Sequence, residues 1–243
     1  MDYLKEYDVI KILLKDRTTN KNIIWANEKG NTEITKDDIK HIKPRAFKHE
    51  EEKLNRTRKK AEVFTPTFIL KEQIDLVDNT SLSLKEYANR KWLEIACGEA
   101  PYMVNRYDAE SGKDIELEER IGFIDRKFKK TNMEVDKINI WSKIVEDIYK
   151  TSFGFEWNGD SLFIARVNLL YTFIENYLYK WDKLPALKDV ETIADIISYN
   201  IFQMDGLTYT IPLDENTPVK IKNWENNEME LFKSDKNNSK DKN

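Results

Sequence analysis

Three short segments of the chain carry residue types that could together hold a nucleoside. Gly98 and Ala100 follow the apolar run 91–96, and small residues in such a turn let a ligand approach the backbone closely. Glu156 ends a second apolar run, where a carboxylate can accept hydrogen bonds from both hydroxyls of a ribose. Asp205 follows a third run, where an acidic group can orient a base. One glycine turn and two acids occur by chance in many α/β chains, so this spacing alone is a weak indication.

The elements that must position these residues alternate along the chain. Apolar runs predict strands that begin near Lys91, Phe153 and Tyr199. Helical spacing of apolar residues predicts helices over 68–77, 138–150, 161–181 and 190–197. Strands that alternate with helices favour an α/β fold with a parallel sheet, whose carboxyl edge would bring the three segments together. Three strands are few for a complete doubly wound sheet.

The flanking regions are more polar. Residues 1–60 predict an N-terminal extension, with a small hairpin formed by 12–14 and 23–25 and a charged helix over about 45–61. The basic run 56–60 is either a solvated helix end or a surface that touches phosphates. We expect order to fade after about Thr210 and residues 226–243 to form a disordered tail, because they are rich in Asn, Lys and Asp.

Composition excludes several classes of protein. The 243 residues carry a formal net charge of -4, so a basic surface for nucleic acid would have to be local or lie on a partner. One cysteine and two histidines make a zinc site improbable and exclude a disulfide within the chain, as in a reducing compartment. No apolar run approaches the roughly 20 residues that span a bilayer, and the start lacks an apolar signal region. We therefore expect a cytoplasmic protein without a metal.

Four segments resemble, in order, the motifs of the gamma-type amino-methyltransferases that modify adenine in DNA. Ala61-Glu62-Val63-Phe64-Thr65-Pro66 is similar to their N-terminal cofactor motif, and Leu93-Glu94-Ile95-Ala96-Cys97-Gly98-Glu99-Ala100-Pro101-Tyr102 is similar to their first core motif. Phe153-Gly154-Phe155-Glu156, followed by Ala165-Arg166-Val167-Asn168-Leu169-Leu170, resembles the second, and Asn200-Ile201-Phe202-Gln203-Met204-Asp205-Gly206-Leu207 resembles the third. The resemblance implies a partial Rossmann-like sheet over 61–225 that binds S-adenosylmethionine, with residues of about 103–137 as an insertion.

The resemblance also implies roles for single residues. Phe64 and Thr65 would border the methionine and adenine ends of the cofactor, and Glu94, Cys97 and Gly98 would form the turn at its amino-acid end.

At the other end of the cofactor, the resemblance implies that Glu156 binds the ribose hydroxyls and that Asp205 faces the adenine amine. Leu207 or Phe202 would pack on the adenine ring. Asp125, after the short apolar piece 121–124, is a rival to Glu156. We prefer Glu156 because the helix expected after the second motif follows it.

Three features depart from the family pattern. Ala100 replaces the second glycine of the first motif, which would narrow the approach of the cofactor, and Ile95 replaces the usual proline. The catalytic Asn-Pro-Pro-Tyr motif, which holds and stacks on the flipped adenine, is absent because no two of the six prolines are adjacent. We therefore expect no catalytic residue in this chain.

The missing motif leaves two interpretations open. In the one we favour, the enzyme is split as in the "subunit M" proteins of restriction-modification systems, and a partner protein supplies the catalytic motif and recognition of double-stranded DNA. In the other, the chain is a truncated remnant or a non-catalytic assembly subunit. An apolar face at Tyr171, Phe173, Tyr177 and Leu178 is either core or an interface with such a partner.

Overall fold

A parallel three-stranded sheet lies at the centre of the computed structural model, which describes residues 7–27, 29–49, 53–54, 57–58, 65–78 and 81–232. Its strands are β1 (Trp92–Glu94), β2 (Ser152–Glu156) and β3 (Ile201–Gln203), in the order β1–β2–β3. Trp92 pairs with Ser152 in β2, and Gly154 pairs with Ile201 in β3. The predictions of an α/β chain and of a parallel sheet are confirmed.

Seven α-helices accompany the sheet in the described residues. They are α1 (Tyr7–Leu14), α2 (Thr67–Val77), α3 (Leu84–Asn89), α4 (Phe123–Glu134), α5 (Ile138–Lys150), α6 (Gly159–Trp181) and α7 (Leu187–Asn200). The apolar spacing predicted four of them, α2, α5, α6 and α7. The bounds of α5 agree with the prediction. A strand was expected from Tyr199, but α7 extends to Asn200, so β3 begins only at Ile201. Within the described ranges, no helix combines the length and apolar character needed to cross a membrane.

The apolar face of α6 belongs to the core. Phe173 and Tyr177 are 2% and 5% exposed and pack against the fully buried Trp141 of α5. Leu178, on the next position, remains 43% exposed. Of the two interpretations of this face, the core therefore accounts for its aromatic residues.

The predicted hairpin of the N-terminal extension, formed by 12–14 and 23–25, is wrong. Residues 12–14 belong to α1 rather than to a hairpin strand, because Val9, Ile10, Leu13 and Leu14 have helical spacing and bury one face against the core. Isolated antiparallel bridges join Lys15 to Asn22 and 24 to 33 instead. The charged helix does not begin at 45, since Arg45–Phe47 is a 3-10 turn; only parts of 50–64 are described, at 53–54 and 57–58.

Order does not fade after Thr210. Two antiparallel hairpins follow: β4 (Thr210–Ile211) pairs with β5 (Asp214–Pro218), and β6 (Lys220–Asn223) pairs with β7 (Glu228–Leu231). Residues 228–231 of the predicted tail are thus a strand, and 233–243 lie outside the described residues. The hairpins were missed because their strands are short and largely exposed, so they lack an apolar alternation.

The segment 103–137, expected as an insertion, contains α4. Its apolar piece 121–124 leads into this helix rather than into a strand, and Asp125 accepts hydrogen bonds from the N–H groups of Gly122 (3.1 Å) and Asn105 (2.7 Å). Burial raises the pKa of Asp125 to about 6. Asp125 therefore caps a helix and does not end a strand of the sheet.

Candidate functional site

A cavity of about 1090 Å³ opens at the carboxyl ends of β1 and β2. One part lies around the turn after β1 and the start of α6, and another runs beside β1 toward α2 and Phe123. In an open parallel sheet this is the edge at which ligands bind. The described residues on its wall are Thr65, Gln73, Ile74, Val77, Trp92, Leu93, Glu94, Ile95, Ala96, Cys97, Gly98, Pro101, Tyr102, Phe123, Phe155, Glu156, Trp157, Asn158, Ser161, Met204, Gly206 and Leu207.

The turn after β1 has an uncommon backbone. Ala96, Gly98 and Ala100 all have positive φ, at 50°, 54° and 62°, a region that glycine enters readily and alanine rarely. Hydrogen bonds hold the turn, since the N–H of Cys97 donates to the carbonyl of Phe155 (2.8 Å) and that of Ala100 to Cys97 (2.7 Å). Ala100 is fully buried and absent from the cavity wall, so its methyl group does not narrow the cavity as the sequence had suggested.

Glu156 joins this turn to β2. The N–H of Gly98 donates to its Oε2 at 2.9 Å, and both the N–H and the Nδ2 of Asn158 donate to its Oε1 at 3.0 Å. The residue is 7% exposed and lies on the cavity wall. Its carboxylate is therefore oriented before any ligand arrives.

Glu94 is a second buried acid beneath the cavity. It accepts hydrogen bonds from the N–H groups of Tyr102 (3.3 Å) and Met103 (3.1 Å). Burial raises its pKa to about 8; these two hydrogen bonds oppose that shift, and the charge of Glu156 adds to it. Glu94 thus ties the far end of the turn to β1 while remaining largely protonated at neutral pH.

Cys97 packs under the turn rather than acting as a nucleophile. Its side chain is 2% exposed, and burial together with the charges of Glu94 and Glu156 raises the pKa of its thiol. A Cβ added to Gly154 would lie 3.3 Å from Cys97 Sγ and 2.3 Å from Met103 Cε. A glycine at 154 is therefore needed for the turn to sit this close to β2.

The structure brings most of the predicted site residues together. Thr65, Glu94, Cys97, Gly98, Glu156 and Leu207 all line the cavity. Asp205 does not: its Oδ1 accepts a hydrogen bond from the N–H of Leu207 (2.8 Å), which forms a local turn. Of the two residues expected to pack on the adenine ring, Leu207 lies on the cavity wall. Phe202 is buried in a separate apolar cluster. Phe64 lies outside the described residues.

Other wall residues were missed from the sequence. Asn158 and Ser161 open α6 directly after the strand that Glu156 ends, and Asn158 orients that acid. The Glu-x-Asn spacing was a usable signal for Asn158. Trp92 and Phe123, whose rings stack at 4.8 Å, come from segments 31 residues apart, and no local pattern links them.

Comparisons with known proteins give no relative from which a function can be inferred. No family model matches the chain, and neither a curated protein nor a solved structure is found to be similar to it. Among the described residues, no group of three or more His, Cys, Asp or Glu is placed to hold a metal ion. An assignment of function therefore depends on the sequence motifs and on the geometry of the cavity.

Proposed function

We propose that this chain is the S-adenosylmethionine-binding part of a DNA adenine-N6 methyltransferase of a restriction-modification system, and that a partner chain completes the enzyme. The observation that carries the proposal is the position of Glu156. This acid ends β2, accepts a hydrogen bond from the glycine of the adjacent turn, and faces a cavity at the carboxyl edge of the sheet. A nucleoside-binding acid of a parallel sheet is expected at that place.

The donor set fits such a cofactor. S-adenosylmethionine carries a positively charged sulfur, and the described cavity wall holds the carboxyl group of Glu156 and the largely protonated Glu94 but no Lys or Arg. A volume of about 1090 Å³ slightly exceeds the roughly 300–1,000 Å³ of small-molecule sites. The cavity is therefore large enough for the cofactor.

Each wall residue would have a limited task. Glu156 would accept hydrogen bonds from the ribose hydroxyls, with Asn158 keeping its carboxylate oriented. The left-handed Gly98 would let the amino-acid end approach the backbone. Leu207, which is 85% exposed, would be covered by an adenine ring.

The bound cofactor supplies a methyl group on a cationic sulfur, which makes that group electrophilic. This chain would hold the methyl donor in place and exclude water from it. The target amine of a flipped adenine would be positioned by polar groups of the partner, and alignment of the two would provide most of the rate enhancement. No general base from this chain is required.

Titration calorimetry of the full chain with S-adenosylmethionine tests the proposal. We expect Glu156→Gln to weaken binding by about 10- to 100-fold, since hydrogen bonds to a charged group contribute about 1.5–3 kcal/mol. Glu228→Gln, on an exposed strand, is the matched control and should bind as the parent does. Absence of binding by a chain that is folded by circular dichroism would contradict the proposal.

Methyl transfer is tested separately with DNA and the protein encoded by the adjacent reading frame. The split interpretation expects transfer with both proteins together and none with either alone. Cofactor binding and a stable complex without transfer would instead identify a non-catalytic assembly subunit.

A further inference from the structure

A second pocket, of about 430 Å³, lies between α4, α3 and the residue that ends α2. Its described wall consists of Asp78, Tyr87, Arg120, Ile121, Arg126, Lys129, Lys130, Met133 and Glu134. None of these residues lies on the wall of the cavity described above. The volume falls within the roughly 300–1,000 Å³ of small-molecule sites, so the pocket is large enough for a compact ligand.

Basic side chains outnumber acidic ones on the wall of this second pocket. The four basic residues are Arg120, Arg126, Lys129 and Lys130, and the two acidic residues are Asp78 and Glu134. The whole chain, in contrast, carries a formal net charge of -4. A concave surface lined by one sign of charge concentrates ions of the opposite sign, so the pocket favours an anion.

Both acidic residues of the wall are already paired. Arg126 donates to Asp78 at 3.0 Å through Nη1 and to Asp75, which is not on the wall, at 2.5 Å through Nη2. The Nζ of Lys130 lies 3.2 Å from Glu134, one helical turn further along α4. The other two basic side chains therefore have no carboxylate partner among the described wall residues.

Arg120 and Lys129 supply the donors that remain open. Arg120 is 7% exposed, its Nε donates to the carbonyl of Ile115 (3.0 Å), and its Nη1 donates to Glu175 (2.5 Å), which also binds Arg106. In the described part of the chain, neither the Nη2 of Arg120 nor the Nζ of Lys129 has a hydrogen bond or an ion pair. Both nitrogens carry N–H groups that can donate to an anion.

The positive charges of Arg120 and Lys129 act on one region. Burial raises the pKa of Asp125, and the charges of both basic residues oppose that rise. Asp125 is 2% exposed, is not on the wall, and already accepts the N–H groups of Gly122 and Asn105. This single buried carboxyl offsets only part of the two positive charges.

The rest of the second pocket is apolar. Tyr87, Ile121 and Met133 complete its wall, and the hydroxyl of Tyr87 is engaged because it donates to Asp78 at 2.8 Å. Met133 is 83% exposed, so a ligand that covers it would remove apolar surface from water. The aliphatic stems of the lysines and arginines add to this apolar lining.

We propose that the second pocket binds a small organic anion with an apolar body, whose charged group lies between Arg120 and Lys129. A phosphate monoester, with a charge of about -1.5 to -2 at neutral pH, matches two open cationic donors better than a carboxylate does. Its apolar body would contact Ile121 and Met133. This site is separate from the cofactor cavity, and its existence does not depend on the proposed methyl transfer.

Amide NMR spectra of the full chain test the site, with phenyl phosphate as the probe. We expect the amides of Lys130 and Met133 to shift, that of Gly98 to stay unchanged, and a Kd below about 1 mM that rises with ionic strength. Inorganic phosphate and benzyl alcohol should bind at least about tenfold more weakly, because the first lacks the apolar body and the second lacks the charge. Phenylacetate, with one charge, should bind between these limits.

Lys129→Gln should weaken the binding of phenyl phosphate about tenfold, because it removes one of the two open cationic donors. Lys143→Gln, on the exposed face of α5, is the matched control and should bind as the parent does. The Lys129 side chain has no hydrogen bond to lose within the described residues, and a parent-like spectrum of the variant confirms that it is folded.

Several results would overturn the proposal. They are no binding of phenyl phosphate, equal binding of inorganic phosphate or benzyl alcohol, and an unchanged affinity in Lys129→Gln. A shift of Gly98 without shifts of Lys130 and Met133 would assign the probe to the cavity instead. The same shifts produced by a DNA duplex at a lower concentration would assign the surface to a nucleic-acid backbone. Tighter binding of phenylacetate than of phenyl phosphate would support the anion site and identify its head group as a carboxylate.

Discussion

The two outer strands of the sheet have opposite surroundings. All three residues of β3 are buried, whereas β1 has one buried, one half-buried and one exposed residue. Gln203 of β3 accepts a hydrogen bond from the N–H of Ile24 (2.9 Å) and donates to the carbonyls of Ile24 (2.7 Å) and Trp157 (2.8 Å). The chain thus covers β3 with its own N-terminal segment and leaves β1 open beside the cavity.

We call the β3 side of the sheet the closed side and the β1 side the open side. Arg166 is the central residue of the closed side. It is fully buried in α6 and donates to the carbonyls of Ile201 (2.8 Å), Leu13 (2.6 Å), Lys15 (2.9 Å) and Ser198 (3.2 Å). Burial lowers its pKa to about 9, which leaves it charged at neutral pH. One side chain therefore joins α1, α7 and β3, and no comparable link reaches the outer side of β1 in the described part of the chain.

Among the substitutions that test this comparison, Arg166→Met should lower the free energy of unfolding the most. The substitution keeps an apolar stem but leaves four buried carbonyls without their donor, so we expect a loss of about 4 kcal/mol in the free energy of unfolding. Urea denaturation measures it, with Lys188→Met on the exposed face of α7 as control. A loss below about 1 kcal/mol would show that the closed side does not depend on this side chain.

Glu94 gives the open side a distinct dependence on pH. Its pKa rises from 4.5 to about 8 on folding, so the folded state holds a proton that the unfolded state releases between these values. Stability should therefore fall as pH rises through this window, by up to about 1.4 kcal/mol per pH unit for one proton. Asp125 contributes in the same direction up to about pH 6.

The measurement is urea denaturation at pH 5, 6 and 7, below the range in which the lowered pKa of Lys127, about 7, acts in the opposite direction. Glu94→Gln should reduce the slope with pH, and Glu228→Gln should leave it unchanged. If the free energy of unfolding changes with pH equally in Glu94→Gln and the parent, then the proton taken up on folding is bound by another group.

Leu93→Ser, on the open side, should change the free energy of unfolding the least. The side chain is 45% exposed on an open edge, so we expect a change within about 0.5 kcal/mol in the free energy of unfolding. Phe202→Ala is the counterpart on β3, where removal of a 3% exposed ring should lower the free energy of unfolding by about 3 kcal/mol. Similar losses from the two substitutions would mean that β1 is covered as well.

The sequence predicted the parts of the fold that depend on local spacing. The three strands, α5 and α6 follow from runs and periods of apolar residues, and Glu156 was placed at a strand end because a helix follows it. Much of the candidate cavity wall follows from the same local motifs. The roles of those residues in binding a cofactor stay predictions.

What could not be predicted depends on contacts between distant segments. The apolar run 12–14 predicts a strand because so short a run does not distinguish a strand from a buried helix, and α7, the partner of the helix Tyr7–Leu14, is some 180 residues away. The buried position of Ala100 and the absence of Asp205 from the cavity wall depend on how the turns close. Nothing in the local sequence of 92–94 indicates that, within the described part of the chain, this strand pairs with β2 alone.

The contact of α1 with α7 also has a consequence for the order of events during synthesis. A ribosome releases the N-terminus first, yet Leu13 and Lys15 bond an arginine at 166, and Thr18 accepts a hydrogen bond from the N–H of Lys220 (3.1 Å). Such non-local contacts form late and slow the overall rate. The first helix therefore waits for about 200 further residues to be translated before it can dock, and during that interval its apolar face is available to a chaperone.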